Sequence, residues 1–456
     1  MVTRYGCVPL MPRYVFANLK YFEFCSGNLN VEYYVPKNRL LKSLLILCRL
    51  VFIVLPFRNW MVCFVKLVRS FSSYSLDSCI KTVAFTVGQT DLYYESIFSE
   101  DRTTTLVHII PNKLIASTQT NLDNVLTPNE VIIEAFLFHF RFFQSIRLAK
   151  QTLQGSKREF DPLDFWYQFF REAESGQLAS LILLERAINQ LLNLNPQVDL
   201  VVVPWEGRAW EKLITNACRN KAISVGFCHS AITGAHQGIL GEGACDLYPP
   251  NYLLCPGQYF KQVLEKAKWQ SNHIFVVPYL RHRSTLMMKG DYRELVVTLT
   301  GNSNIANRVI RWVSRLTSDR VRVSVSLNKR ANSYDLLSSM LRRYEVSEWN
   351  GVFTNQTVVL TRSISALIEL RAIKVPTVFL FLGDEVDRLI VEALDFELKQ
   401  GMVDLTSEDI CSTDHIFDGI LAIDWTSFNS NLYFKKSNNA REKIHKTING
   451  IRRNCC

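Results

Sequence analysis

The stretch PWEGRAWEK, residues 204–212, places two tryptophans and two carboxylates directly after the apolar run Leu200 to Val203. A loop that only had to turn could use Asn, Gly or Ser instead. Glu206 has the chemistry of a general base that takes a proton from an attacking hydroxyl, and its alternatives are a helix cap or a salt-bridge partner. Glu211 has a simpler explanation, because an acidic side chain in the first turn of a helix is favoured by the helix dipole.

The region around this stretch has the pattern of a βαβ unit. Leu200 to Val203 is predicted as a buried strand, Arg208 to Cys218 as a helix and Ala222 to Phe227 as the next strand. Such units build parallel sheets, whose ligands bind beyond the carboxyl ends of the strands. Glu206 and His229 follow two neighbouring strand ends, so we expect them to share one crevice. The imidazole either takes part in proton transfer or orients the loop through a hydrogen bond.

A second α/β alternation begins after a predicted hinge at residues 278–283. The turn TGNSN, Thr300 to Asn304, joins its first strand to its first helix, so backbone amides around Gly301 and Asn302 could hold a phosphate. An ordinary capped turn explains the same pattern.

A later turn in this second region carries more chemistry. A strand that ends near Thr361 leads through Ser363 and Ser365 into a helix, and either serine can cap the helix and contact a phosphate. Glu369 follows one turn further on, where a carboxylate can accept both hydroxyls of a ribose. Its alternative is a surface glutamate with no ligand.

These motifs together resemble GT-B glycosyltransferases. The resemblance rests on two α/β domains with a hinge, the Ser-rich helix start with its internal Glu before a Val-Pro strand, and PWEGRAWEK followed by GFCHS. More narrowly, they resemble the bacterial enzymes of surface polysaccharide assembly (O-antigen or capsule), over roughly Val201 to Leu382. The resemblance implies two Rossmann-like domains that face each other across a cleft. It also implies a nucleotide-activated sugar on the C-terminal domain and an acceptor glycan, free or lipid-linked, on the N-terminal domain.

The resemblance implies roles for individual residues and a transfer of the hexosyl or Kdo type. Glu206 would be the general base, with His229 orienting it or the acceptor, and Trp205, Glu211 and Ser230 would lie on the acceptor side. The expected donor-binding residues are Gly301, Asn302, Ser363, Ser365, Glu369, Lys329, Arg330 and Arg281. No metal ion or cofactor is expected, because helix amides and basic side chains stabilise the leaving phosphate.

Composition narrows the class of protein. A chain of 456 residues with 48% apolar residues is globular and long enough for two to three domains. The formal charge of +10 suggests an anionic partner. Nucleic acid explains this charge less well, because the basic residues are spread along the chain and the aromatics cluster in apolar runs. The twelve cysteines include no CxxC pair, which predicts reduced thiols in a cytoplasmic protein without a structural metal.

The segment from Pro36 to Phe71 mixes apolar and basic residues, and no acid occurs between Glu32 and Asp77. Its apolar runs are too short to span a membrane. The pattern is typical of an interfacial helix pair on an anionic membrane surface, and equally of core helices with snorkelling basic ends. The first interpretation would place the protein at the inner face of the plasma membrane, as a peripheral protein.

We therefore predict four regions. These are a basic and apolar N-terminal segment (1–80), an acceptor-side α/β domain (81–280), a nucleotide-sugar-binding α/β domain (281–430) and a basic tail (431–456) that forms a solvated helix. Three functions stay open: a glycosyltransferase, a nucleotide-sugar epimerase of the same fold, which needs no acceptor, and a non-catalytic GT-B-like binding or assembly protein.

Overall fold

The computed structural model describes two α/β domains, each built on a largely parallel sheet. This confirms the predicted fold class of two Rossmann-like domains. The residues that the structure describes are 40, 43–44, 46–47, 76–87, 96–98, 101–110, 113–116, 188–207, 209–234, 236–240, 245, 248–280, 291–299, 303–316, 320–326, 347–348, 352–354, 356–383, 385–405, 412–425 and 427–455.

The first domain contains a seven-stranded sheet. Its strands are β1 (Thr82–Val87), β2 (Thr104–Ile110), β3 (Lys113–Ala116), β4 (Leu200–Pro204), β5 (Ile223–Phe227), β6 (Tyr252–Cys255) and β7 (Ile274–Val276). They are arranged in the order β3-β2-β1-β4-β5-β6-β7, and β2 with β3 is the antiparallel pair. The helices that follow β4, β5 and β6 are α1 (Ala209–Cys218), α2 (Gln237–Leu240) and α3 (Gln258–Lys266).

Strand β4 is buried on both faces, which explains its continuous apolar sequence. Val201 and Val203 pack into one buried apolar cluster, and Leu200 and Val202 pack into another on the opposite side of the sheet. All four side chains have no exposed surface. The strand therefore fixes the direction in which the chain leaves the sheet at PWEG.

The second domain contains a six-stranded parallel sheet in the order β10-β9-β8-β11-β12-β13. Its strands are β8 (Arg293–Thr298), β9 (Arg322–Ser326), β10 (Ser347–Glu348), β11 (Gln356–Thr361), β12 (Thr377–Phe381) and β13 (Val403–Asp404). Its helices are α4 (Ser303–Val313), α5 (Ile364–Ala372), α6 (Glu385–Ala393), α7 (Phe396–Lys399) and α8 (Thr413–Leu421).

Both sheets reverse their strand order once, between β1 and β4 in the first domain and between β8 and β11 in the second. In open α/β sheets, ligands bind at such reversals, outside the carboxyl ends of the strands. Glu206 follows β4 and Ser363 follows β11. The topology therefore places one predicted site residue at the reversal of each sheet.

The C-terminal region returns to the first domain through α9 (Ser430–Tyr433) and α10 (Ala440–Cys455). Ile444, Ile448 and Ile451 of α10 are buried in the apolar cluster that contains Val202. The prediction of a helix in this tail is confirmed, whereas the prediction that it is solvated is wrong for this face. Isoleucines at i, i+4 and i+7 form one stripe, which buries itself against the sheet.

Two polar contacts hold the polar side of α10 against the first domain. The Arg452 Nε atom lies 2.8 Å from a carboxylate oxygen of Asp199. The His445 Nε2 atom lies 2.9 Å from Asp101 Oδ2. Burial raises the pKa of Asp101, but hydrogen bonds from His445, Thr104 and Thr103 outweigh it and lower this pKa to about 2.

The two chain segments that connect the domains run side by side. The Tyr279 amide donates to the Lys435 carbonyl at 2.9 Å, and the Lys435 amide donates to the Pro256 carbonyl at 2.7 Å. The rings of Tyr279 and Phe434 stack, with centroids 3.8 Å apart and planes 6° from parallel. Residues 278–280 of the predicted hinge lie in this contact, and residues 281–283 lie outside the described residues.

We expect Gly257→Ala to disrupt this crossing. A Cβ atom on Gly257 would lie 1.9 Å from the Tyr433 carbonyl oxygen, so backbone would have to move. Overpacking of this kind costs about 1–3 kcal/mol or more. Urea denaturation should show this loss in the free energy of unfolding.

The control is Gly419→Ala in α8, where an added Cβ has no heavy atom within 4 Å. It should be neutral or stabilise by up to about 1 kcal/mol. Equal stability of both variants would contradict this account of the crossing.

Candidate active site

Glu206 and His229 lie together at the carboxyl edge of the first sheet. β4 and β5 are paired in parallel, with Pro204 opposite Phe227, so the segments that follow them are neighbours. The His229 Nε2 atom lies 3.7 Å from Glu206 Oε1. The side chains are 22% and 18% exposed, respectively, so both can contact a ligand. The structure therefore brings the two predicted catalytic residues into one site.

Two glycines fix the loop that carries Glu206. Gly207 has a positive φ of 72°, a conformation that strongly favours glycine. A Cβ atom on it would also lie 2.2 Å from the carbonyl carbon of Gly238 at α2. The two backbones are therefore in direct contact. This contact accounts for glycine at both positions, 207 and 238.

Trp205 and Glu211 position this loop from below. Each residue is 1% exposed, so both side chains are buried beneath the loop, and their acceptor-side role stays a prediction. Glu211 Oε2 accepts a hydrogen bond from the Glu206 amide at 2.7 Å. Trp205 packs into the same buried cluster as Val201 and Val203. Ser230 is half-buried beside His229, and its acceptor-side role stays a prediction.

Helix α5 of the second domain begins at this same place. Ser363 is exposed and caps the helix, with its Oγ accepting from the Ala366 amide at 3.3 Å. Ser365, in the first turn, accepts a hydrogen bond from the Ala231 amide at 2.9 Å. Ala231 lies two residues after His229, so the helix start from one domain contacts the histidine loop of the other.

Glu369 lies one turn further along α5 and is half-buried. The Tyr279 hydroxyl donates a hydrogen bond to its Oε1 atom. The carboxylate is therefore held in place by the segment that connects the domains. Its predicted contact with a ribose is not tested by this arrangement and stays a prediction.

A buried arginine fixes the position of α5. Arg371 is 1% exposed, and its guanidinium donates to the carbonyl oxygens of Thr377, Glu397 and Gln400 at 2.7, 2.5 and 2.9 Å. The guanidinium also lies 4.5 Å from the ring centroid of Trp425. Burial lowers the pKa of Arg371 to about 10, against the opposing effect of nearby acidic groups. This residue was not predicted as part of the site, and it acts on the site only through the helix.

An ion pair between Arg362 and Asp387 fixes the turn that precedes α5. The Arg362 Nη2 atom lies 2.5 Å from Asp387 Oδ1, and the side chains are 5% and 0% exposed. The other carboxylate oxygen of Asp387 accepts from the Leu382 amide at 2.5 Å. The ends of β11 and β12 are thereby tied to α6. This pair was not predicted from the sequence, and the signal that could have indicated it is an arginine directly after a buried strand.

The remaining predicted donor-binding residues lie outside the described residues. They are Gly301, Asn302, Lys329, Arg330 and Arg281.

Lys212 is a buried cation near the site that the sequence did not single out. It is 3% exposed and follows Glu211 in the first turn of α1. Burial lowers the pKa of Lys212 to about 8, although the charges of Glu211 and Cys245 act in the opposite direction. A lysine ammonium in this position costs free energy in the folded state.

Comparison with known proteins gives distant similarities. No protein-family model and no curated protein matches the chain. The solved structures that resemble it include the UDP-GlcNAc 2-epimerase of Neisseria meningitidis, with 11% identity, coverage of 81% of this chain and 100% of that chain, and a TM-score of 0.46. HepE of Anabaena in complex with UDP-glucose has 11% identity, coverage of 82% and 98%, and a TM-score of 0.37. The wall teichoic acid polymerase TagF has 10% identity, coverage of 92% and 99%, and a TM-score of 0.40. These values assign neither a family nor a substrate to the chain.

We expect Lys212→Met to stabilise the protein at neutral pH. The pKa falls from 10.5 in the unfolded chain to about 8 in the folded chain. Below pH 8 the Lys212 ammonium is charged in both the folded and the unfolded chain, so the free-energy cost of burying the charge fully destabilises the folded state. Between pH 8 and 10.5 this cost disappears as the folded state releases its proton first. The gain at pH 7 should be about 3 kcal/mol, since a tenfold change in a protonation equilibrium is worth about 1.4 kcal/mol.

Urea denaturation from pH 7 to 10.5 checks this expectation. The free energies of unfolding of wild type and Lys212→Met should converge as pH rises. Lys221→Met is the control, because Lys221 is exposed and its Nζ atom donates to Asn189 at 2.9 Å. A constant difference between wild type and Lys212→Met over this range would contradict the buried, destabilising ammonium.

Proposed function

We propose that the protein is a glycosyltransferase that moves a sugar from a nucleotide-activated donor to a growing surface-glycan acceptor, free or lipid-linked. The observation that carries this proposal is the hydrogen bond between Ser365 and the Ala231 amide. This hydrogen bond connects two parts of the site. One is the loop that carries the carboxylate–imidazole pair, and the other is a helix N-terminus from the second domain. In this proposal, general-base chemistry and phosphate binding lie on the two sides of one site.

Glu206 is the proposed general base. Its carboxylate is partly exposed, and its backbone is held by Glu211 and by the contact of Gly207 with Gly238. A base held in this way can take the proton from an acceptor hydroxyl as that oxygen attacks the sugar. His229, at 3.7 Å, orients the carboxylate or the acceptor. Ser230 completes the acceptor side.

The start of α5 is the proposed site of the donor phosphates. The first amides of a helix have no partner within the helix, and its dipole favours negative charge at this end. Ser363 is exposed beside these amides, and Ser365 faces the other domain. This arrangement stabilises a leaving nucleoside diphosphate without a metal ion. Glu369 would then bind the ribose, and the basic residues Lys329, Arg330 and Arg281 would neutralise the diphosphate together with the backbone at Gly301 and Asn302.

The sequence resemblance supports a narrower proposal. PWEGRAWEK and GFCHS are the motifs that resemble enzymes of O-antigen and capsule assembly. Glu206 and His229 of these motifs are the side chains that the structure brings together. A hexosyl or Kdo donor is consistent with this proposal.

Glu206→Gln is expected to abolish transfer while it preserves donor binding. Loss of a general base lowers the rate by about 10²–10⁴-fold. The measurement is release of nucleoside diphosphate or monophosphate from a panel of nucleotide sugars, including CMP-activated donors, in the presence of glycan acceptors. Thermal shift with the same nucleotides reports donor binding separately. The matched control is Glu392→Gln, an exposed carboxylate on α6.

Three results would contradict the proposed glycosyltransferase activity. Equal rates for Glu206→Gln and wild type would exclude the residue as base. An epimer formed from a nucleotide sugar without any acceptor would identify an epimerase instead. Nucleotide binding without turnover of any donor would identify a non-catalytic binding protein.

We also infer that the N-terminal segment docks on an anionic membrane. Residues 40, 43, 44, 46 and 47 are helical, and Leu40, Leu44 and Leu47 are 73%, 52% and 61% exposed. Positions i, i+4 and i+7 share one helix face. The surrounding sequence carries basic residues and no acid as far as Asp77. Among the described residues, no helix is long and apolar enough to cross a membrane.

Replacing Leu40, Leu44 and Leu47 together by Ser should release the protein from vesicles. Each leucine contributes about 1.5–3 kcal/mol when it is fully buried. Flotation with vesicles of phosphatidylcholine and phosphatidylglycerol measures this effect. Phe396→Ser is the control, because Phe396 is a 78% exposed aromatic on α7 of the second domain. Unchanged flotation of the triple variant would reject this docking surface.

A further inference from the structure

A cavity lies on the opposite edge of the first sheet from the candidate active site. It has a volume of about 410 Å³ and opens at the amino ends of β5, β6 and β7. Ser224, Trp269 and Cys245 line its interior, whereas Glu206 and His229 lie beyond the carboxyl ends of β4 and β5. Most of the length of β5 separates the two sites, roughly 13 Å at the rise per residue of a strand.

Two cationic side chains belong to the lining of the cavity. Arg219 and Lys268 are exposed at its rim, and the half-buried ring of His273 also lines it. Among the described residues that form the lining, none is Asp or Glu. Glu265, on neighbouring α3, is paired with Lys261 at 3.9 Å and accepts from the Ser271 hydroxyl at 2.5 Å. The lining therefore offers hydrogen-bond donors with positive charge.

Helix α1 carries a further, buried cation on the face that contributes to the lining. Lys212, Thr215 and Arg219 are spaced i, i+3 and i+7, so they lie along one face of the helix. Thr215 and Arg219 line the cavity. Lys212 is 3% exposed, and its charge interacts with the thiol of Cys245, which lines the same cavity.

Helix dipoles explain only part of this arrangement. Arg219 and Lys268 follow the C-terminal ends of α1 and α3, where a cation is favoured by the helix dipole. Lys212 lies in the first turn of α1, where the same dipole disfavours a cation. The negative charge of Glu211 partly compensates the charge of Lys212. The Glu211 carboxylate also accepts a hydrogen bond from the Glu206 amide. An anion in the cavity would add a negative charge on the face of α1 that carries Thr215 and Arg219.

We propose that this cavity is a second ligand site, which binds a small molecule with a phosphate or carboxylate group and is separate from the candidate active site. Guanidinium and ammonium groups donate strong, charge-assisted hydrogen bonds to both kinds of anion. A volume of 410 Å³ lies within the range of about 300–1,000 Å³ of small-molecule sites. The ligand is therefore of the size of a sugar phosphate or a sugar acid.

Alkylation of Cys245 tests the proposal, because this thiol lines the cavity and is half-buried. The full chain is treated with N-ethylmaleimide in the presence of glucose 1-phosphate, glucuronate or glucose, and modification of each cysteine is followed by peptide mass spectrometry. A bound anion should slow the modification of Cys245 by a factor of about 1 + [L]/Kd. Cys79 is exposed and serves as the internal control. The buried thiol of Cys218 should stay unreactive while the chain is folded.

Substitutions inside and outside the lining test whether the ligand that protects Cys245 binds in this cavity. Arg219→Ala combined with Lys268→Ala should abolish it, whereas Lys266→Ala, which removes an exposed charge outside the lining, should preserve it. Glu206→Gln should also preserve it, which separates this cavity from the candidate active site. The proposal is overturned if neither anion protects Cys245, if neutral glucose protects it equally, or if protection survives in the Arg219 and Lys268 double variant.

Discussion

The hydrogen bond from the Ala231 amide to Ser365 is the interaction on which the account of this site depends. Apolar packing surrounds it. Ile364, Leu367 and Ile368 of α5 belong to the same buried cluster as the core of the first domain. The helix that would hold a donor phosphate is therefore packed into the domain that carries the proposed base. A change in the position of either domain changes the distance between the two halves of the site.

Two parallel sheets explain why the residues of this site are distant in sequence but close in space. Each sheet reverses its strand order at its first strand, and the carboxyl edge at such a reversal is where open α/β sheets bind ligands. The connecting segments then hold these edges together, through the ring stack of Tyr279 and Phe434 and the hydrogen bond from Tyr279 to Glu369. The sheet of the first domain would bind a second ligand at its amino edge, in the cavity with Arg219 and Lys268.

Local sequence pattern was sufficient to predict the strands and the meeting of Glu206 with His229, because neighbouring strands of a parallel sheet end at one edge. It was not sufficient to predict burial. Trp205 looks like a surface residue of a loop and Glu211 like an acid in the first turn of a helix, but both are buried, and the loop between them contacts Gly238, far along the chain. The docking of α10 onto the first sheet also depends on contacts distant in sequence. Propensity and periodicity carry no information on such contacts.

A crystal structure of the full chain with bound UDP tests the central claim most directly. The account predicts that the diphosphate lies at the N-terminus of α5, within hydrogen-bond distance of Ser363 or Ser365, and faces Glu206 and His229 across the contact between the domains. UDP bound away from the start of α5, or a diphosphate whose path to Glu206 is closed by protein, would contradict it.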